Sequence, residues 1–397
     1  MMVIKLCSKL KSVRYFVTFI SLLLLTGCWS RIEINDHAFV TAMYIDYPEE
    51  GVYEVSLGFP LPNRMSTGMG LSGTAKGNPY SIVTKRGESI PVAIRKIRSD
   101  LSREISWGHC RVIVVGRKMA EFGINQLLEF TAREPNFHTK SFLFVSPTSG
   151  RDIGNLTPVF ERLPSEVLRE YAQRNVTLGA TIKDFLEAEA SGGDMVTGLL
   201  TIGQTEMVSE EGKMSTWVGT DGAALFRSGV MVGTLDVIGM RAGLWLNGKM
   251  KSSMNSIKSP TDGKTISFLI QTSNSSIKPW INGDQFGFDI HIEADNDVLS
   301  SESNIDLMDP EQLKVLEELL SEQLKGRILR TLQTTQSEEV DVFNFGRILG
   351  WRYPKVWQQM KGNWREHYKK CEFHVSTQIF VKRTGAEKNA VIRNIKE

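Results

Sequence analysis

Cysteine is scarce in this chain, with only Cys7, Cys28, Cys110 and Cys371 in 397 residues. So few thiols exclude a disulfide framework. Cys110 opens the apolar run CRVIVVG, which suits a buried free thiol better than a bond to the distant Cys371. The six histidines are scattered, and neither H-E-x-x-H nor G-x-S-x-G occurs, so two common hydrolytic signatures are missing. Long apolar runs are missing too. Tyr15 to Leu25 is 11 residues long, and no later run approaches the length of a membrane span. A helix crossing a bilayer needs about 20 such residues at about 1.5 Å of rise each. There is no internal repeat and no low-complexity tract.

What is present begins at the N-terminus. Lys5, Lys9, Lys11 and Arg14 precede the short apolar run with no acidic residue among them, the pattern of a cleavable export signal. The run ends in Leu25-Thr26-Gly27-Cys28, which reads as a lipobox: leucine, two small residues, then cysteine. The Cys28 thiolate is the nucleophile that takes a diacylglycerol, and cleavage after Gly27 leaves the lipidated cysteine at the new N-terminus. Each buried methylene adds about 0.8 kcal/mol, so two or three acyl chains hold a protein on a bilayer. Residues 1–27 are therefore expected to be a cleaved signal peptide. Their loss removes four basic residues and changes the formal net charge from +2 to −2. A basic face for nucleic acid is not expected of such a chain.

The remaining length and composition fit ordinary cores in two or three domains. Alternating apolar positions predict strands over 38–46 and 52–60, joined by a turn at 48–51. Helical spacing follows over 88–104, a strand over 111–115, a helix over 118–133 and a strand over 140–146. Residues 163–190 read as largely helical, with Thr181 as a cap. The polar stretch 206–217 reads as a linker between an N-terminal domain, 28–205, and a C-terminal domain, 218–386, with 387–397 as a tail. In the second domain two strands flank Arg227-Ser228-Gly229, a short helix covers 237–245, and strands recur at 265–272 and 286–293. Asp309-Pro310-Glu311 is a strong helix start, followed by the stripe Leu313, Leu316, Leu320, Leu324 and Ile328. A helix over 354–368 and a strand over 371–383 close the chain. The fold class expected is α+β, with mixed, largely antiparallel sheets packed with helices.

Three local patterns suggest chemistry and lack its context. Gly68-Met69-Gly70-Leu71-Ser72-Gly73 matches a dinucleotide fingerprint but sits in a Gly/Ser/Met-rich loop with prolines on both sides. Gly243 to Lys249 matches G-x-x-x-x-G-K, yet Met250 stands where a magnesium-binding Ser or Thr belongs, and the intervening residues suit a core helix. His367, Cys371 and His374 have a spacing found at zinc sites, with no evident fourth ligand. No catalytic residue, metal or cofactor is assigned on these grounds.

Taken in order along the chain, a larger pattern emerges. It starts with Gly27-Cys28-Trp29, Arg31, Glu33 and Ile34-Asn35-Asp36, and continues through the strand from Ala38 to Asp46. It resumes at Gly108-His109, the CRVIVVG strand and Arg133-Glu134-Pro135. In the second half it includes DGAALF from Asp221, Gly243-Leu244-Trp245-Leu246, Asp341 to Gly346 (DVFNFG), then Pro354, Trp357 and Trp364. This set resembles the C subunits of spore germinant receptors, the GerAC-like lipoprotein family. Cys110 departs from the aliphatic residue expected after Gly108-His109, a matter of packing. The resemblance implies a non-enzymatic subunit held by acylated Cys28 on the outer face of the spore inner membrane. Its partners would be a multi-spanning A subunit and a transporter-like B subunit, acting together in nutrient sensing. Asn35, Asp36 and the 341–346 segment match the family's motifs and are read as maintaining the fold. The contrasting reading is a solute-binding lipoprotein of an importer, which predicts two lobes of buried parallel strands. The alternating strands here fit that poorly.

Overall fold

A computed structural model describes residues 33–65, 77–191 and 194–384, together with positions 14, 15 and 18. The lipobox, the Gly68–Gly73 motif and the tail 387–397 lie outside the described residues.

The N-terminal part is built on a nine-stranded sheet. A three-residue strand β1 (His37–Phe39) comes first and lies outside that sheet; β2 (Ala42–Glu49) and β3 (Val52–Pro60) form the expected hairpin. A helical turn, α1 (Pro62–Met65), leads to the undescribed loop, after which β4 (Tyr80–Gly87) returns beside β3. Helix α2 (Ile90–Ser99) starts where Ser89 accepts a bond from the Val92 N–H, and it buries Ile90, Ala93 and Ile97. It ends five residues before the expected limit, because β5 (Glu104–Ser106) leaves to pair with β1.

Strand β6 (Val112–Gly116) is buried throughout, as its VIVVG sequence requires of a strand covered on both faces. The helix expected over 118–133 is two helices, α3 (Arg117–Phe122) and α4 (Asn125–Arg133). Gly123 divides them at a φ of +126°, a conformation outside any helix. Strand β7 (Phe142–Ser146), α5 (Gly150–Ile153), α6 (Pro164–Gln173), β8 (Ala180–Thr181) and α7 (Ile182–Ser191) follow. Thr181 caps α7 through the Asp184 N–H, and Asp184 reciprocates to the Thr181 N–H.

The segment read as a linker is instead the end of a long antiparallel hairpin. Strand β9 (Met195–Met207) pairs with β10 (Lys213–Arg227), from Lys213 opposite Met207 to Phe226 opposite Met195. With β11 (Val230–Leu235) the sheet runs in the order β11-β10-β9-β7-β6-β2-β3-β4, and β8 attaches to β7. β2, β6, β7 and β9 pair in parallel and the outer strands pair antiparallel. Helices α2, α3, α4 and α7 cover one face and α5 and α6 the other, each over its own apolar cluster. A bulge in β10 between Thr220 and Ala223 holds Gly222 at a φ of +114°; a Cβ there would stand 2.0 Å from the Leu235 carbonyl oxygen.

Helix α8 (Val237–Leu246) leads into a second sheet of β12 (Ser253–Lys258), β13 (Thr265–Asn282), β14 (Gln285–Ser301) and β15 (Glu372–Arg383). β13 and β14 are about twice the length that apolar alternation predicts, because polar residues break the alternation in the rest of each, at Ser273–Ser276 in β13 and at Asp295, Asn296 and Asp297 in β14. Helix α9 (Pro310–Ser337) begins where Asp309 accepts from the Glu311 N–H, and lays Leu316, Leu320, Leu324, Ile328 and Leu332 into the core. Each such side chain contributes about 1.5–3 kcal/mol on burial. α9 also closes the outer edge of β15: the Ile379 N–H donates to Ser321 Oγ at 3.1 Å and the Val381 N–H to Glu317 Oε1 at 2.7 Å. Unpaired edge amides invite strand addition, and this helix occupies them.

The last helices are α10 (Phe345–Arg352), α11 (Pro354–Met360) and α12 (Trp364–Lys370), the last two separated by a tight turn where one helix was expected. The architecture is α+β, with mixed and largely antiparallel sheets, as expected. Among the described residues no helix is long and apolar enough to cross a membrane.

Candidate functional site

The polar centre of the molecule lies where the two sheets meet. A single apolar cluster joins Leu178, Val196, Leu225 and Leu235 from the first part to Trp245, Phe268, Phe288, Leu320 and Phe345 from the second. Set into it is Asp341, only 4% exposed. Its Oδ1 accepts the Phe345 N–H at 2.9 Å, and its Oδ2 accepts the Gly346 N–H at 2.7 Å and the Trp364 indole N–H at 2.9 Å. The first two are orphan amides of the α10 N-terminus, satisfied by a carboxylate where the dipole favours one. Asn344 takes the left-handed conformation, φ +63°, that turns the chain into α10. Gly346 leaves room for two indoles: a Cβ would meet Trp357 at 2.7 Å and Trp364 at 2.8 Å. Trp357 and Trp364 pack edge to face at 5.2 Å. The DVFNFG segment and the two tryptophans are thus one packing unit, which is the fold-maintaining role expected of residues 341–346.

Asp341 is tied in turn to the first part of the chain. Its backbone N–H donates to Asp194 Oδ2 at 3.1 Å, and Arg365 from α12 donates to Asp194 Oδ1 at 2.7 Å and to Ser228 Oγ at 2.9 Å. Asp194 is 2% exposed, so its charge rests on Arg365. Burial pushes the Asp341 carboxyl up to about 6, against the pull of its three hydrogen bonds, and Asp194 adds to the rise. Nearby, the Tyr368 hydroxyl pairs with Thr335 Oγ1 at 2.7 Å and burial raises its pKa strongly. Gln336 donates to the backbone carbonyls of Tyr368 and Cys371. Apart from the Arg365 Nε, which is buried without a hydrogen-bond partner, these polar groups are occupied in joining α9, α10, α12, β9 and the β10–β11 turn.

Other residues singled out in the sequence fall elsewhere. Cys28 and Gly27 lie outside the described residues. Asn35 and Asp36 sit on an exposed helical turn, Ile34–Asp36, just before β1. Gly243 belongs to α8 in the core, where a Cβ would strike Leu178 and Phe343, so the Gly243–Lys249 match is a buried helix entering a turn. His367, Cys371 and His374 point to different neighbours. His367 lies against Phe286, Cys371 is buried, and His374 stacks on Trp280 and bonds Asp289 at 3.0 Å. Among the described residues no group of three or more His, Cys, Asp or Glu is arranged for a metal. Cys110 and Cys371 are both free and buried. Asp194, Ser228 and Arg365 had no sequence signal, since 171 positions separate Asp194 from Arg365.

The class these features define is a two-part α+β body whose internal polar groups serve assembly. Comparison with known proteins gives it a family. Residues 30–202 match the spore germination protein N-terminal domain, and residues 221–385 match the spore germination B3/GerAC-like C-terminal domain. Spore germination protein KC of Bacillus subtilis is 23% identical over 394 residues, covering 95% of this chain and 97% of that protein. Spore germination protein B3 of the same organism is 23% identical over 369 residues, covering 91% and 94%. The crystal structure of the GerBC protein superposes with a TM-score of 0.57 at 18% identity, over 86% of this chain and 96% of that one, and so shares the fold. The chain belongs to the GerAC-like family of germinant receptor C subunits, and its role is in spore germination.

Proposed function

We propose that this chain is the lipid-anchored C subunit of a nutrient germinant receptor. Acylated Cys28 holds it on the outer face of the spore inner membrane, where it works with the membrane-embedded A and B subunits to trigger germination. It does so as an interaction partner and not as an enzyme. The observation that carries this reading is the pairing of a lipobox with family matches over both halves of the chain. The Asp341–Asp194–Arg365 cluster supports it, because the buried polar groups there hold elements together. A solute-binding lipoprotein would want two lobes hinged about a cleft, and a shared apolar core across the two parts argues against such a hinge.

The test is germination of spores carrying Cys28→Ala across a nutrient panel, with membrane fractionation alongside, in a strain lacking redundant receptors. Loss of the protein from the membrane fraction together with loss of one nutrient response is expected. Retention on the membrane refutes the anchor. Release with every response intact refutes the receptor role.

A further inference from the structure

A pocket of about 610 Å³ opens at one end of the first sheet, away from the Asp341 cluster, and nothing in the family assignment accounts for it. Thr41, which leads into β2, stands on one side, with His109 and Arg111 from the turn before β6. Glu166 and Arg169, on the first two turns of α6, stand opposite, and Pro60 contributes to an apolar wall.

The charges of this pocket are unbalanced. Glu166 is its one carboxylate, and Oε2 of that group is committed to the N–H groups of Arg162 and Leu163 at 3.1 and 3.2 Å. Arg169 reaches Glu170 with one terminal nitrogen at 3.3 Å, while its buried Nε has no hydrogen-bond partner. Arg111 is half-buried and forms no ion pair among the described residues. A buried N–H without an acceptor is rare in native structures, so the Arg169 Nε marks a place where an oxygen acceptor would be favoured. Guanidinium groups prefer oxyanions, which they bind through paired, charge-assisted hydrogen bonds.

We infer that this pocket binds the phosphate group of a larger molecule. Two guanidinium groups, the His109 ring and the Ser165 hydroxyl supply more donors than a carboxylate can engage, and a phosphate offers oxygens for them, while the Thr41 hydroxyl is already given to the Gly58 carbonyl at 3.3 Å. The volume falls within the range of small-molecule sites and exceeds what a bare phosphate fills. Pro60, Pro62 and Leu163 give the organic remainder an apolar wall. The source is a lipid headgroup or a soluble phosphate ester. The site lies close to the start of the body, because Phe39 of β1 packs edge-on against His109 at 4.8 Å. The inference does not depend on the receptor assignment.

The experiment uses the purified full-length acylated protein in neutral detergent, titrated with inorganic phosphate against chloride at constant ionic strength. The protein is then reconstituted in vesicles of phosphatidylcholine with or without about one third phosphatidylglycerol. Calorimetric binding and the melting midpoint are compared for wild type, Arg111→Gln and Arg169→Gln. Loss of one charge-assisted contact predicts about tenfold weaker phosphate binding in each glutamine variant. Arg111→Lys and Arg169→Lys, which keep the charge, should retain part of the binding and report on folding if a glutamine variant does not melt cooperatively. Stabilisation by phosphatidylglycerol that exceeds the effect of free phosphate assigns a lipid headgroup. Equal stabilisation by free phosphate in pure phosphatidylcholine assigns a soluble ester. If neither stabilises wild type beyond chloride, or if the arginine variants respond as wild type does, the inference is overturned.

Discussion

Replacing Asp341 by alanine removes the acceptor from three buried donors at once. The Phe345 and Gly346 N–H groups and the Trp364 indole lose bonds of 2.9, 2.7 and 2.9 Å. An orphaned buried donor costs about 1–3 kcal/mol, so the three together cost about 6 kcal/mol. Against this, the variant no longer has to keep a carboxylate in a dry place. Burial holds the Asp341 pKa near about 6, whereas an unfolded aspartate titrates near about 3.9, and each tenfold step in proton affinity is worth about 1.4 kcal/mol. A carboxyl that binds its proton more tightly when folded adds stability below the unfolded pKa, and that increment is lost as pH rises through about 6. Between about pH 4.5 and about pH 7.5 the wild type therefore gives up about 2 kcal/mol at this position. Asp341→Ala has nothing to titrate there. Its deficit should shrink over the same range, from about 5 kcal/mol to about 3 kcal/mol. Urea unfolding at the two pH values, read by tryptophan fluorescence, measures both figures. A deficit below about 1 kcal/mol, or one that grows toward neutrality, refutes the reasoning.

Arg365→Ala leaves Asp194 buried without its cation and should cost about 2 kcal/mol. That is less than the 3–5 kcal/mol of a fully enclosed pair because Arg365 is open to solvent; a double-mutant cycle with Asp194→Asn should recover most of the loss, and additive effects would deny the contact. Gly222→Ala should lower stability by about 2 kcal/mol or more, since φ is +114° and the new methyl meets a carbonyl; an unchanged urea midpoint would contradict the bulge geometry. Burial pushes the Cys110 thiol up to about 12 and raises the Cys371 thiol further, so neither should react with a thiol reagent in the native mature protein. Unfolding should then release two reactive thiols if Cys28 carries its thioether, and a third thiol would mean an unmodified Cys28.

What the sequence made legible was what local patterns govern. Asp309-Pro310-Glu311 and the leucine stripe after it located α9, because cap chemistry and apolar spacing are properties of adjacent residues. The VIVVG run located a strand buried on both faces. The division at Gly123 was missed because the apolar spacing on either side continues as though the helix did. Residues 206–217 were misread as a linker for a related reason: near its tip the hairpin is solvent-exposed on both sides, so nothing forces alternation. The later parts of β13 and β14 escaped because polar residues interrupt their apolar alternation. At the site, Asp341 was visible as part of a motif, but its bonds to α10 and α12 were not. Asp194 and Arg365 were invisible because only the closed fold brings them together.

The strand order carries a consequence for how the molecule is made. The sheet of the first part runs through β10 and β11, whose residues fall largely in the stretch matched by the C-terminal family. A growing chain that has reached β9 has the helices of its first part and most of that sheet. It still presents the whole β9 edge to its surroundings, and Val196, whose apolar cluster is built mainly from later residues, stays uncovered until they arrive. The first half is completed by the second, so a chain cut at residue 205 should be a sticky fragment, and the unit that folds is the whole body.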